Sequence, residues 1–174
     1  MMFDLLLDLF RGKAVTIPPM DGALKPNTAL DDAGIVRRAA RPDNMVKPGK
    51  ALLYSSGKDL RDLASDTIVM SYKDEITALA TSEDGSLAVA LSSGKIAVDG
   101  KDISGFNSPT ALCFDGGDLL VCNGSTDYAP QDWMRDLMQK GATGSVWRIN
   151  VASGARSRIA KDLAFVRRRL AALE

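Results

Sequence analysis

The cluster Asp115-Gly116-Gly117-Asp118 lies between two short apolar runs, Thr110–Phe114 and Leu119–Cys122. Glycine reaches the positive φ that a tight hairpin turn demands, so Ser108–Ser125 reads as a β-hairpin. A second pair of runs, Gly144–Ile159, has Ala152-Ser153-Gly154 as its turn. An insert separates the two hairpins. Together they make one four-stranded antiparallel unit, and that unit limits the folds open to the chain.

The unit recurs. Thr77-Ala78-Leu79-Ala80, the turn Asp84-Gly85 and the run Leu87–Leu91 match Thr110-Ala111-Leu112, the acidic-glycine turn and the run after it. Ser55-Ser56-Gly57-Lys58 follows Leu52-Leu53-Tyr54 as Ser92-Ser93-Gly94-Lys95 follows Val89-Ala90-Leu91. The offsets are 33 residues (Thr77 to Thr110) and 37 residues (Ser55 to Ser92). Spacings of this size suit a repeat architecture better than coincidence between hairpins. The expected fold is all-β: a partial β-propeller of about three four-stranded blades, with a short N-terminal helix and one helical insert. The blades are expected near residues 43–72, 76–105 and 108–165. An N-terminal helix and extended lead-in (1–42) precede them, and a tail (166–174) follows.

The chain has 174 residues, ample for one core, with 22 basic against 22 acidic side chains. A net charge near zero argues against nucleic-acid binding. No apolar run approaches the roughly 18 residues of a membrane-spanning helix. Met1–Lys13 holds Leu5-Leu6-Leu7 and Leu9-Phe10, but Asp4 and Asp8 interrupt it and no basic residue precedes it. It therefore reads as a docked amphipathic helix, not a signal peptide, and the cytoplasm is the default location.

The chain contains no histidine. That removes Ser-His-Asp and Cys-His catalysis and histidine metal sites. Carboxylates, lysine, cysteine, tyrosine and oxygen-ligated ions such as Ca²⁺ or Mg²⁺ remain. With Gly116-Gly117 as the turn, Cys113 faces Leu120 and Cys122 faces Ala111. The sulfurs then lie diagonally, poor geometry for a disulfide, and both cysteines are expected as buried apolar thiols.

Taken in order, Val15–Leu30 is too punctuated by proline and glycine for regular structure. Asp31–Ala40 is a possible short helix ended by Pro42, with acids first and arginines last. Met45–Tyr54 and Leu60–Met70 read as strands around Ser55–Lys58. Ile76–Val98 reads as three strands, with an edge strand near Lys101–Ile103. In the insert, Thr126–Ala142, Pro130 suits a first helical position and Gly141 a C-terminal cap. Trp133, Met134, Leu137 and Met138 share one helical face, expected to pack inward, while Asp136 and Lys140 form an i,i+4 pair. The insert is also placed to lid a site at a propeller's mouth. The tail carries Arg167-Arg168-Arg169 and no strand alternation, and reads as a native helical end or, by preference, a read-through or vector-derived segment. The Ser-Ser-Gly-Lys copies lack the earlier glycine of a phosphate loop.

From Asn107 to Phe165 the chain resembles the strictosidine synthase-like branch of the six-bladed propellers, a superfamily that includes the gluconolactonase/regucalcin and paraoxonase groups. The residues that carry the resemblance are Leu119–Ser125, the insert with Asp132–Leu137, Gly144–Ile149 and Asp162–Phe165. At roughly 40–50 residues per blade, the chain would correspond to the N-terminal half of such a protein. The resemblance implies a substrate site at the mouth of a central channel, holding a divalent cation, usually Ca²⁺. Asn123 is its best-matched ligand, with Asn107 and Asp127 as companions and Asp115 as a further carboxylate. A plain Asn-Gly turn at Asn123-Gly124 is the competing reading. No catalytic residue is carried over.

Two functions follow as expectations. One is a lactone or ester hydrolase acting on a small-molecule substrate, with Ca²⁺ polarising the carbonyl and a carboxylate activating water. The other is a non-catalytic binding or assembly module, with self-association through open blade edges. Neither nucleic acid nor membrane is expected as a partner.

Overall fold

The computed structural model describes residues 33–164. The expected N-terminal helix, most of the extended lead-in and the tail 166–174 lie outside the described residues.

The described residues form an all-β fold of three four-stranded antiparallel sheets that resemble propeller blades, plus one short helix. The first sheet contains β1 (Pro42–Val46), β2 (Leu53–Ser56), β3 (Asp59–Asp62) and β4 (Ile68–Ser71). The second contains β5 (Ile76–Thr81), β6 (Leu87–Leu91), β7 (Ile96–Val98) and β8 (Lys101–Ile103). The third contains β9 (Pro109–Asp115), β10 (Asp118–Asn123), β11 (Gly144–Asn150) and β12 (Arg156–Leu163). Helix α1 (Trp133–Met138) interrupts the link from β10 to β11. In every sheet the strands lie side by side in chain order, which short hairpin turns impose. Asp115 pairs with Asp118, leaving Gly116-Gly117 as a two-residue turn with Gly116 at φ +57°.

Side-chain alternation along β5 explains how the sheets stack. Leu79 points toward the first sheet, in a cluster with Leu53, Leu60, Ile76, Val89 and Leu91. Its neighbours Ala78 and Ala80 point the other way, joining Ala88, Ala90, Ile96 and Val98 of the second sheet. Leu119, Val121 and Ile149 of the third sheet pack against that alanine-rich surface. Small residues on one side leave room for large ones on the other. Leu60, Leu119 and Ile149 are fully buried; each contributes about 1.5–3 kcal/mol relative to exposure. The Thr77 hydroxyl donates to the Pro109 carbonyl at 2.7 Å, tying β5 to β9.

Four sequence expectations need correction. Residues 33–39 carry no helix; Arg37 instead donates to the carbonyls of Leu63 and Ala64 at 2.9 and 2.8 Å, and Pro42 opens β1. Met45–Tyr54 is two strands, because Pro48 lacks an N–H and Gly49 turns at φ +60°. Leu60–Met70 is also two strands, because Asp62 accepts from the Ser65 N–H at 2.8 Å and Asp66 takes φ +62°. Finally, Cys113 and Cys122 pair with Leu120 and Ala111 as expected, but only Cys122 is buried. Cys113 is exposed on the side of the third sheet turned away from the second, and among the described residues no further sheet lies over it.

Burial, with a smaller contribution from Cys113, pushes the Cys122 thiol up to about 11. At pH 8 only about a thousandth of it is thiolate, the reactive form. DTNB added to dilute native protein should release one equivalent of chromophore promptly, from Cys113. Denaturant should expose the second.

Candidate functional site

The first strands of neighbouring sheets, β1, β5 and β9, lie beside one another. Asn44, Thr77 and Thr110 recur there every 33 residues. Where these strands begin, a cleft of about 230 Å³ opens. Asp43, Thr77 and Thr110 from the strands, Glu75 from the preceding linker and Trp133 from the insert line it. Its lining holds two carboxylates, the Trp133 side chain and two threonine hydroxyls that donate to the Pro109 and Cys122 carbonyls at 2.7 and 3.4 Å. Glu75 is held by Arg41 at 2.6 Å. The Ser92 N–H donates to the Glu75 carbonyl at 2.8 Å, fixing the linker.

The insert reaches the cleft because a buried polar knot anchors it. Ser125, fully buried, donates to Asp136 Oδ1 at 2.8 Å and lies 3.0 Å from the Thr143 hydroxyl. The Ser125 oxygen also accepts from the N–H groups of Asp127 and Tyr128 at 3.1 and 3.2 Å. Asp136 is 1% exposed, and the Gly141 N–H donates to its carbonyl at 2.8 Å. A Cβ at position 141 would lie 2.6 Å from the Asp136 carboxylate, so the close approach requires glycine there.

This geometry inverts the expected helix. Its polar Asp136 faces inward, while Met134, Leu137 and Met138 are 62%, 44% and 84% exposed. Asp136 bonds Ser125 in place of the expected Lys140 partner. The left-handed residue that ends the helix is Lys140, at φ +55°, and not Gly141.

The residues expected as metal ligands have other partners. Asn123 is 4% exposed. Its Oδ1 accepts from the N–H groups of Asn107 and Ser108 at 3.2 and 2.9 Å, and its Nδ2 donates to the Ser125 carbonyl at 3.2 Å. Both amide-oxygen lone pairs are therefore engaged. Asn107 meets Asn123 through its main chain, and exposed Asp127 accepts from the Thr126 hydroxyl at 3.0 Å. Asp115 lies at the far end of β9, bonded to Arg148 at 2.7 Å. Calcium takes six to eight oxygens, and among the described residues no group of three acidic, cysteine or histidine side chains gathers for a metal. A calcium ion does not fit this donor set as it stands.

A second cleft, about 450 Å³, lies at the opposite strand ends among Ser82, Glu83, Asp84, Phe114 and Asp115. The Ser82 hydroxyl and then the Ser86 N–H hold the Asp84 carboxyl below its ordinary range. These bonds tighten a hairpin turn. Sequence reasoning did not propose Asp43, Glu75, Thr77 or Thr110 as site residues; the 33-residue offset from Thr77 to Thr110, read there as a fold repeat, is the signal that could have found their end of the sheets.

Among the described residues no helix is long and apolar enough to cross a membrane. No protein-family model and no curated protein matches the chain. Three solved structures show a distant likeness to β-propeller proteins. U3-55K has a TM-score of 0.47 at 15% identity, over 70% of this chain and 39% of that one. Sqt1 of Saccharomyces cerevisiae has a TM-score of 0.47 at 15% identity, over 72% and 36%. Glutaminyl cyclase of Myxococcus xanthus has a TM-score of 0.45 at 16% identity, over 68% and 49%. This chain spans less than half the length of each. The three sheets themselves define the class, a partial propeller-like fold.

Proposed function

We propose that this chain is a propeller-type binding module that holds a small polar molecule in the cleft at the start of β1, β5 and β9. The observation that carries this reading is the convergence of Asp43, Glu75, Thr77, Thr110 and Trp133 on one opening. A few polar groups beside an aromatic face suit a compact ligand with hydroxyl or amine groups. Titration calorimetry with neutral sugars, aldonolactones and primary amines tests it. At least one compound should bind, and Trp133→Ala should weaken that compound roughly tenfold. If none binds, the reading is wrong.

The second reading is a lactone or ester hydrolase of the strictosidine synthase-like or gluconolactonase-like kind, using a divalent cation. The resemblance along Asn107–Phe165 supports it. The bonding of Asn123 and the ion pair of Glu75 favour binding over hydrolysis. Calcium should therefore leave the melting temperature unchanged and support no lactone turnover. A saturable shift with turnover would displace the first reading.

A further inference from the structure

The contact between the second and third sheets is repeated on the outward side of the third. Ala78 pairs with Ala90 and Ala80 with Ala88, and this surface receives the third sheet. One sheet further on, Ala111 pairs with Cys122 and Cys113 with Leu120. Ile96 and Val98, opposite Ala90 and Ala88, are matched by Val146 and Arg148, opposite Cys122 and Leu120. The third sheet thus presents a face of the same register, with Ala111, Cys122 and Val146 at one end and, beside Cys113 and Leu120 at the other, Arg148 paired with Asp115 and Asp118 at 2.7 and 3.0 Å. One end of it is buried, with Ala111, Cys122 and Val146 packed against Ala160 and Leu163 of β12. The other end is open: Cys113 is exposed and Leu120 half-buried.

The first sheet offers the complementary face. Leu53 and Leu60 point toward the second sheet. The opposite row, Met45–Tyr54–Arg61–Ile68 in register across the four strands, occupies the side that the second and third sheets each turn toward their predecessor. Met45 and Ile68 at the two ends of the row are 55% and 51% exposed, while between them Tyr54 is 5% exposed and donates to Asp66 at 2.5 Å, and Arg61 pairs with Asp59 and Asp66. Beside them a cleft of about 190 Å³ opens among Arg37, Pro42, Asp43, Met45, Tyr54 and Leu63.

We propose that the outward face of the third sheet docks on the outward face of the first sheet in a second copy of this chain. Two such contacts would close a ring of two three-sheet halves. The argument is continuity with the interface already present between the second and third sheets. It is independent of the ligand cleft, which lies at the strand starts.

Sedimentation velocity on the full chain tests it. The wild type should run at twice the chain mass of 18.6 kDa. Leu120→Asp and Ile68→Asp should each run at the chain mass, with unchanged circular dichroism. An equimolar mixture of the two should regain the double mass, because each mixed pair keeps one intact contact. DTNB should label Cys113 roughly tenfold more slowly in concentrated wild type, where the face is covered, than in dilute protein. That rate needs no variant to fold. A wild type that stays at the chain mass with a concentration-independent Cys113 rate overturns the proposal. So does a dimer that neither substitution disturbs.

Discussion

Gly94→Ala should cost about 3–5 kcal/mol, a large share of the roughly 5–15 kcal/mol typical of a domain. Gly94 turns β6 into β7 at φ +87°, and a Cβ there would sit 2.0 Å from the Phe106 carbonyl oxygen. The obstacle is backbone, held by the Asn107 and Ser108 N–H bonds to Asn123 next to it, so no side-chain rotation relieves it. Gly57 is the internal control. It holds the matching turn position in the first repeat at φ +62°, with nothing within 4 Å of its Cβ. Gly57→Ala meets conformational strain alone, about 1 kcal/mol. Urea midpoints of the two variants measure the difference directly. Equal losses would mean that the linker after β8 yields, and that the latch between turn and linker does not hold the repeat together.

Asn123→Ala should cost about 2–4 kcal/mol by stranding the N–H groups of Asn107 and Ser108 and the carbonyl of Ser125. Ser108 and Ser125 are fully buried, so water cannot replace the amide without opening the knot. Asn123→Asp separates this role from ion binding. It keeps the one acceptor oxygen that serves both N–H donors but turns its second oxygen, in place of the donor Nδ2, toward the Ser125 carbonyl. A clamp should therefore lose stability, while a calcium ligand should keep or gain affinity. Denaturation with and without Ca²⁺ reads both. A small loss in Asn123→Ala that appears only with Ca²⁺ present would make Asn123 a ligand and not a clamp.

Acid should weaken the same fold by a separate route. The Tyr54 hydroxyl, then Arg37 and Arg61, hold the Asp66 carboxyl below its ordinary range. Asn150 and then Arg148 do the same for Asp118. A depressed carboxyl stabilises the folded state above its unfolded pKa and loses that contribution as pH falls through the folded value. Stability should therefore drop only below the ordinary carboxylate range.

The chain's own residues determined the turns and the repeat. Glycine at positive φ and strict alternation act within a few residues, so the hairpins of the second and third sheets were legible, down to the edge strand Lys101–Ile103. The apolar pattern also overran real breaks at Pro48-Gly49 and Asp62–Thr67, since hydrophobicity continues through a turn that local hydrogen bonds create. Only the tertiary structure decided which way helix α1 faces. Its six residues are too few for an apolar stripe to outweigh a carboxylate bonded to buried Ser125, so Asp136 went in and the methionines came out. The tertiary structure likewise gathered Asp43, Glu75, Thr110 and Trp133 at one opening and left Cys113 uncovered. Those outcomes depend on sheets stacking across dozens of residues, a distance over which no local propensity acts.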